Sequence, residues 1–386
     1  MTEDTSARSL KPLRVILAGG GTGGHVYPAI AIAARLRELQ PNAAILFIGT
    51  RDRMEAQKVP AAGFDFAAIS VRGVAGRQSP LRRARALGRL ALGLPLWQSL
   101  RLLRRFRPDV VVGTGGYVCG PVILAARLLR VPTMTVEQNE VPGLTTRLVS
   151  RLVDVAALVS EGSAARYERS RRTRVEITGN PVRPEILAAK REAGAAALGL
   201  DAGLTTVFAF GGSIGSLPLN RAFVGALELL AAEGALRGVQ VVHLTGRENA
   251  FRLDPSRVEA LGLRYLPLEY LDAMHHAFAA ADLVVTRAGG TTLAEIAARG
   301  LPAIIIPWSG AAANHQEQNA VSFAQSRAGS VIHDSELTPQ RLAAEMKRLL
   351  ADPAGRSEMA RRCRELGRPA AADRVIAIIE ELAAHS

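Results

Sequence analysis

Short apolar runs, each closed by glycine, alternate along this chain with stretches whose apolar positions recur at helical spacing. Val15-Ile16-Leu17-Ala18 runs into glycines, and residues 29–39 follow as a helix. Strands are predicted at 44–48, 109–112 and 131–136, with a helix over 122–129. This strand–helix–strand rhythm specifies a parallel sheet covered on both faces. Past the midpoint the pattern restarts. Thr206-Val207-Phe208-Ala209-Phe210 runs into Gly211-Gly212-Ser213, and further strands are predicted at 239–244, 283–286 and 303–307. The junctions Ala18/Gly19 and Phe210/Gly211 lie half a chain apart. The expectation is an α/β protein with two doubly wound domains in tandem, divided near residue 180. Gly179-Asn180-Pro181-Val182-Arg183-Pro184 reads as an ordered hinge, and Gly367-Arg368-Pro369 breaks the helical pattern before a last helix over 371–384.

Composition narrows the class. Of 386 residues, 48% are hydrophobic and 22% charged, which excludes a disordered or collagen-like chain. Cys119 and Cys363 lie too far apart in sequence to suggest a disulfide framework or a Cys-rich zinc site, and a reducing cytoplasm is the simplest location. Residues 1–12 are polar with mixed charge, so no export signal is expected before Arg14. The uncharged run 110–126 contains four glycines and Pro121, and it falls short of the roughly 20 apolar residues of a spanning helix. The net charge of +13 favours anionic partners. With only 4% aromatic residues, the chain is poorly equipped to stack on single-stranded nucleic acid.

Four glycine-rich segments carry the candidate chemistry. Gly19-Gly20-Gly21-Thr22-Gly23-Gly24-His25 follows the first strand and precedes a helix. Glycines permit close backbone approach, and the free N–H groups at a helix start favour an anion. Gly113-Thr114-Gly115-Gly116-Tyr117-Val118-Cys119-Gly120-Pro121 and Gly211-Gly212-Ser213-Ile214-Gly215-Ser216 also follow strands. Ligands of open α/β sheets bind at the carboxyl ends of strands, so facing domains would gather these loops around one cleft. The fourth segment runs from Thr286 to Glu295. Its glycines precede a helix, and Glu295 suits either two sugar hydroxyls or the dipole of its own helix.

The ordered set of motifs resembles the MurG family, the UDP-N-acetylglucosamine transferases that convert lipid I to lipid II in peptidoglycan synthesis. The resemblance is carried by the first loop with its histidine, GTGGYVCGP, Glu137-Gln138-Asn139, GNPVR at 179–183, Thr286–Glu295, and His315-Gln316-Glu317-Gln318-Asn319-Ala320. It extends from about Val15 to beyond Ile378. It implies a GT-B fold of two Rossmann-like domains facing an interdomain cleft. Residues 1–180 would form the acceptor and membrane-associating domain, completed by the terminal helix within 368–386, and 181–367 the UDP-GlcNAc domain. By motif match, Gly290, Thr291, Thr292, Leu293, Ala294 and Glu295 hold pyrophosphate and ribose, with Glu295 on the ribose hydroxyls. Leu271 packs beside uracil, Ser213 and Arg183 approach the diphosphate, and Gln316 bonds the GlcNAc hydroxyls. Thr22, Gly23, Gly24 and Asn139 contact the sugar from the N-terminal side. Ile214-Gly215 and Ala313 depart from the family pattern, which often has Gln-Gly and an acidic residue there.

The implied reaction is inverting transfer of GlcNAc to the 4-hydroxyl of the muramyl sugar of lipid I. The chain has no Asp-x-Asp motif, in keeping with a metal-independent enzyme that uses no cofactor. His25 is the preferred general base, Glu137 its rival, and Tyr117 a residue that orients the acceptor. Between Asp65 and Asp109 there is no acidic residue, and ten arginines occur from Arg72 to Arg107 among Leu87, Leu90, Leu92, Leu94, Leu96 and Trp97. That stretch suits an anionic membrane surface, the alternative being a solvated helix pair with its leucines in the core. The expected location is the peripheral, cytoplasmic face of the inner membrane, among the proteins of a cell-wall assembly. Nucleic acid is not an expected partner, because it would leave the glycine loops without a role.

Overall fold

The apolar runs form the middles of two parallel sheets. The computed structural model describes residues 12–71, 93–167, 172–248, 251–252 and 254–385. The first sheet contains β1 (Arg14–Gly19), β2 (Ala44–Gly49), β3 (Asp65–Ala68), β4 (Val110–Gly115), β5 (Thr133–Val136), β6 (Val155–Leu158) and β7 (Arg174–Ile177). Their spatial order is β3-β2-β1-β4-β5-β6-β7. The second sheet contains β8 (Thr205–Phe210), β9 (Val239–Leu244), β10 (Arg264–Leu268), β11 (Leu283–Arg287), β12 (Ala303–Ile306) and β13 (Ser330–Val331), in the order β10-β9-β8-β11-β12-β13. Every pairing is parallel. Both sheets therefore follow doubly wound order, and each reverses direction beside its first strand, between β1 and β4 and between β8 and β11. The two-domain α/β expectation is met.

Burial explains why the strands form. Val15, Ile16, Leu17, Val110, Val111 and Val112 are fully buried, as are Val207, Phe208, Val284, Val285, Ile304 and Ile305. Helices cover both faces of such strands, so continuous apolar runs replace alternation. Two helix starts differ from the sequence expectation. The first helix spans Gly23–Leu39, so the last glycines and His25 form its first turn rather than a loop before it. The helix after β4 spans Cys119–Leu128 and starts within its glycine segment.

The terminal helix, Ala371–Ala384, packs on the first sheet rather than the second. Val375, Ile376, Ile378 and Ile379 share a core with Leu13, Val15, Val26 and Ile32. Arg35–Asp373 at 2.6 Å and Gln40–Glu380 at 2.7 Å fasten its polar side. The two chain crossings between the sheets touch, and a side chain on Gly179 would come within 2.5 Å of Arg368.

Candidate functional site: a cleft between two switch points

The four glycine segments lie at the two reversal points, two on each sheet. In the first domain their backbones meet. Gly116 has φ +77°, and a Cβ there would lie 2.2 Å from the Gly20 carbonyl oxygen. Only glycine fits both the conformation and the space. Glu55, 1% exposed, braces this pair from beneath. Its carboxylate accepts from the Gly21 N–H at 3.0 Å, and from the N–H and hydroxyl of Thr50 at 3.1 and 2.8 Å. The sequence motifs did not single out Glu55; it lies outside every glycine segment, 34 residues from Gly21.

His25 stands in the first helical turn, half-buried. Its Nδ1 lies 2.9 Å from Gln138 Oε1, and its carbonyl accepts from Thr114 Oγ1 at 2.9 Å. Tyr117 is half-buried against the core that includes Ile16, Ala18 and Val122. Glu137, 2% exposed, is surrounded by donors. Oε1 accepts from the N–H groups of Gln138 and Asn139 at 3.0 and 3.1 Å and from Asn139 Nδ2 at 3.2 Å, and Oε2 accepts from the Gly143 N–H at 3.0 Å. This geometry makes Glu137 the anchor of the 138–143 loop, with both oxygens already engaged.

Across the cleft, the helix Gly290–Arg299 starts directly after β11. Gly290, Thr291 and Thr292 form its first turn, and Ala294 is half-buried. Leu293 is 3% exposed in the core of the second domain, which leaves its backbone as the part able to face a ligand. Glu295 and Arg183, 4% and 5% exposed, form an ion pair, with Arg183 Nε and Nη2 each 2.9 Å from Glu295 Oε1. Burial pushes the Glu295 carboxyl above the usual carboxylate range, and the guanidinium pulls it back. The same guanidinium lies 4.4 Å from the centre of the Tyr27 ring. Leu271 packs partly into the second-domain core beside Tyr270.

Ser213 is exposed at the tip of the third loop. Its neighbour Ser216 is the residue that engages the fourth segment, accepting from Arg287 Nε and Nη2 at 3.1 and 2.8 Å. Arg287 also pairs with Asp334 at 2.6 Å. Burial pushes the Asp334 carboxyl up, but Arg287 and Ser309 together hold it below the usual range. Gln316 Oε1 accepts from the N–H groups of Ala288 and Trp308 at 3.2 and 2.9 Å, which orients its amide beside the loop after β11.

The domains touch across the cleft. A Cβ on Gly290 would fall 2.0 Å from the Gln138 carbonyl oxygen. Thr291 donates to the Gly24 carbonyl at 3.1 Å, and Tyr27 and Tyr270 share a hydrogen bond of 2.9 Å. Lys58 pairs with Asp272. Asn319 donates to Asn139 Oδ1 and the Ala288 carbonyl, both at 3.0 Å, and accepts from the Glu140 N–H at 2.9 Å. Gly24 and Asn139 thus stand opposite Thr291 and Gly290, and Thr22 and Gly23 precede Gly24 at the start of the same helix. Asn319 was not singled out as a site residue, although its spacing of three from Gln316 places both on one helical face.

The basic stretch 72–107 is described only from 93 onward, and its portion 72–92 lies outside the described residues. Helix Leu94–Phe106 sends Leu103 and Ser99 inward and leaves Leu94 and Trp97 54% and 56% exposed. The helices Cys119–Leu128 and Leu144–Val149 follow beside it, with Leu124, Leu128, Leu144 and Leu148 exposed. Among the described residues, no helix is long and apolar enough to cross a membrane.

Two doubly wound domains with glycine-rich loops opposed across a cleft are the architecture of the GT-B class. Residues 15–158 match the glycosyltransferase family 28 N-terminal domain, and 206–375 match its C-terminal domain. The chain is 42% identical to the UDP-N-acetylglucosamine--N-acetylmuramyl-(pentapeptide) pyrophosphoryl-undecaprenol N-acetylglucosamine transferase of Desulfitobacterium hafniense, over 95% of this chain and 98% of that one. Identity to the transferase of the same name from Moorella thermoacetica is also 42%, over 95% and 98%. The crystal structure of Acinetobacter baumannii MurG superposes with a TM-score of 0.69 at 26% identity, covering 96% of this chain and all of that one. The chain belongs to the MurG family. A putative UDP-N-acetylglucosamine 2-epimerase from Listeria monocytogenes, with a TM-score of 0.67 at 15% identity over 97% and 98% of the two chains, shares the fold alone.

Proposed function

We propose that this chain transfers GlcNAc from UDP-GlcNAc to the 4-hydroxyl of the muramyl sugar of lipid I, with inversion, to form lipid II. The observation that carries the proposal is the near full-length identity to transferases of that name, in a chain whose glycine loops oppose one another across a cleft. In this reaction the acceptor oxygen attacks the anomeric carbon as the bond to the UDP oxygen breaks. The electron pair leaves with UDP, and the acceptor proton passes to His25. The N–H groups opening the helix Gly290–Arg299, together with Arg183, counter the charge that develops on the diphosphate. Glu295 takes the ribose hydroxyls, so binding of the donor exchanges the Arg183–Glu295 pair for contacts with the nucleotide. Gln316 takes sugar hydroxyls from the second domain, and Asn139 faces it from the first.

The acceptor is lipid-linked, and the exposed leucines with Trp97, flanked by Arg101, Arg104, Arg105 and Arg127, supply a face for it. Apolar side chains enter the interface while arginines meet anionic headgroups, giving peripheral attachment at the cytoplasmic face. The test is transfer of labelled GlcNAc from UDP-GlcNAc to a lipid I analogue with EDTA present. Transfer supports donor, acceptor and metal independence together. UDP binding without transfer overturns the acceptor assignment, and no UDP binding overturns the whole proposal.

A further inference from the structure

We infer that Gln138 is a positioning residue that fixes the tautomer of His25, keeping hydrogen on Nδ1 and the lone pair on Nε2. The inference rests on the proposal that His25 is the base, and it names the group that prepares it. The Val136 carbonyl can only accept a hydrogen bond, and it takes one from Gln138 Nε2 at 2.6 Å. That contact settles which end of the amide is nitrogen. Oε1 therefore faces the imidazole, 2.9 Å from Nδ1. An amide oxygen has no proton to give, so Nδ1 is the donor. A neutral imidazole carries one N–H, and Nε2 is left as the acceptor.

The packing makes this arrangement rigid. Gln138 is 3% exposed, and its N–H is held by Glu137 Oε1 at 3.0 Å. Gly115 closes the other side of the ring, where a Cβ would lie 2.6 Å from Nδ1. The loop anchor seats the amide, and the amide seats the ring. The titratable and charged side chains of the surrounding elements include Tyr27 on the same helix, Glu55 beneath the first loop, Tyr117 and Cys119 after β4, Glu137 after β5, and the Arg183–Glu295 pair on second-domain elements that pack against that helix. Among the described residues none of them hydrogen-bonds the ring. When the acceptor proton arrives at Nε2, the Nδ1–H to Gln138 bond stays in place, so the imidazolium forms without reorientation. An amide orients the ring without adding charge, whereas a carboxylate in its place would favour the protonated ring.

The experiment uses the full chain, ¹⁵N-labelled at histidine, with the His25 signals assigned by their loss in His25→Ala. In the wild type the protonated ring nitrogen of neutral His25 is expected to be Nδ1. A finding of Nε2–H overturns the inference whether or not any variant folds. In Gln138→Ala the tautomer signals mix, and kcat falls by about tenfold to a hundredfold, part of the roughly 10²–10⁴ that a positioned base supplies, with KM for UDP-GlcNAc changed less than kcat. Gln138→Glu keeps the acceptor at Nδ1, so activity returns at higher pH and the acid limb of the rate profile moves upward. An acid limb that stays in place in Gln138→Glu, or wild-type kcat in Gln138→Ala, overturns the positioning role. If His25→Ala retains wild-type turnover, the base assignment fails while the tautomer measurement still judges Gln138 on its own.

Discussion

Replacing Glu137 by glutamine separates the two tasks open to this residue, anchoring a loop or accepting a proton. The carboxylate takes four hydrogen bonds, three on Oε1 and one on Oε2. Glutamine can keep an oxygen at the Oε1 position, but its NH₂ group then faces the Gly143 N–H, donor against donor. The lost bond to a charged acceptor is worth about 1.5–3 kcal/mol, and the three retained bonds fall to neutral strength. The local cost comes to about 3–4 kcal/mol, or a roughly 10²- to 10³-fold rise in opening of the 138–143 segment. Native hydrogen exchange, followed by mass spectrometry on peptides spanning 137–144, reads this directly. Gln138 lies in the loosened segment, so kcat falls with the protection. Unchanged exchange in a variant whose turnover is abolished refutes the anchoring account and returns Glu137 to the chemistry.

Other consequences of the geometry are equally measurable. Gly290→Ala places a methyl group 2.0 Å from the Gln138 carbonyl, so the domains stay apart. Small-angle scattering should show a larger radius of gyration and assays a lower kcat, with both domains folded. Glu295→Ala leaves the buried Arg183 guanidinium without its anion, a change that typically costs about 3–5 kcal/mol. Denaturation should show that loss in the second domain, together with weaker UDP binding. Trp97→Ala combined with Leu128→Ser should cut partitioning onto anionic vesicles about tenfold or more while leaving UDP affinity intact. The folded pKa of Asp334 is depressed, so its stabilisation is complete above the unfolded value of about 3.9 and is lost as pH falls through the folded one. Asp334→Asn should therefore flatten the acid-side loss of melting temperature, and an unchanged slope would count against the Arg287 pair.

The fold was legible where strands are buried on both faces. The strand regions β1, β2, β4, β5, β8, β9, β11 and β12 could be read as apolar runs. The strands passed over lie largely at or toward the sheet edges. β3 is Asp65-Phe66-Ala67-Ala68 and β7 is Arg174-Val175-Glu176-Ile177, four residues each and partly exposed. β13 has two residues. Such segments carry no periodicity long enough to detect, and their neighbours in the sheet define them. Helix Gly23–Leu39 begins earlier than its apolar pattern because Gly23, Gly24 and His25, which follow the N-cap Thr22, add no apolar periodicity to its first turn.

Candidate site residues could be named from motifs, but their pairing could not. Glycine after a strand marks a candidate backbone anion site, because the demand is local to one loop. The contacts that order the candidate site are long-range: Glu55 to Gly21, Gln138 to His25, Arg183 to Glu295, and Asn319 to Asn139. Each joins segments whose separation in sequence has no periodic signature. Glu137 shows the consequence. As a letter in the sequence it is equally a base or a brace, and the four donors around it favour the brace. The neutral amide at 138 then has a physical rationale. An acid touching His25 would stabilise its proton and work against its proposed use as an acceptor, whereas an amide held by the Val136 carbonyl supplies direction without charge. The brace, the amide and the ring form one ordered chain, and loosening any link should lower kcat more than donor affinity.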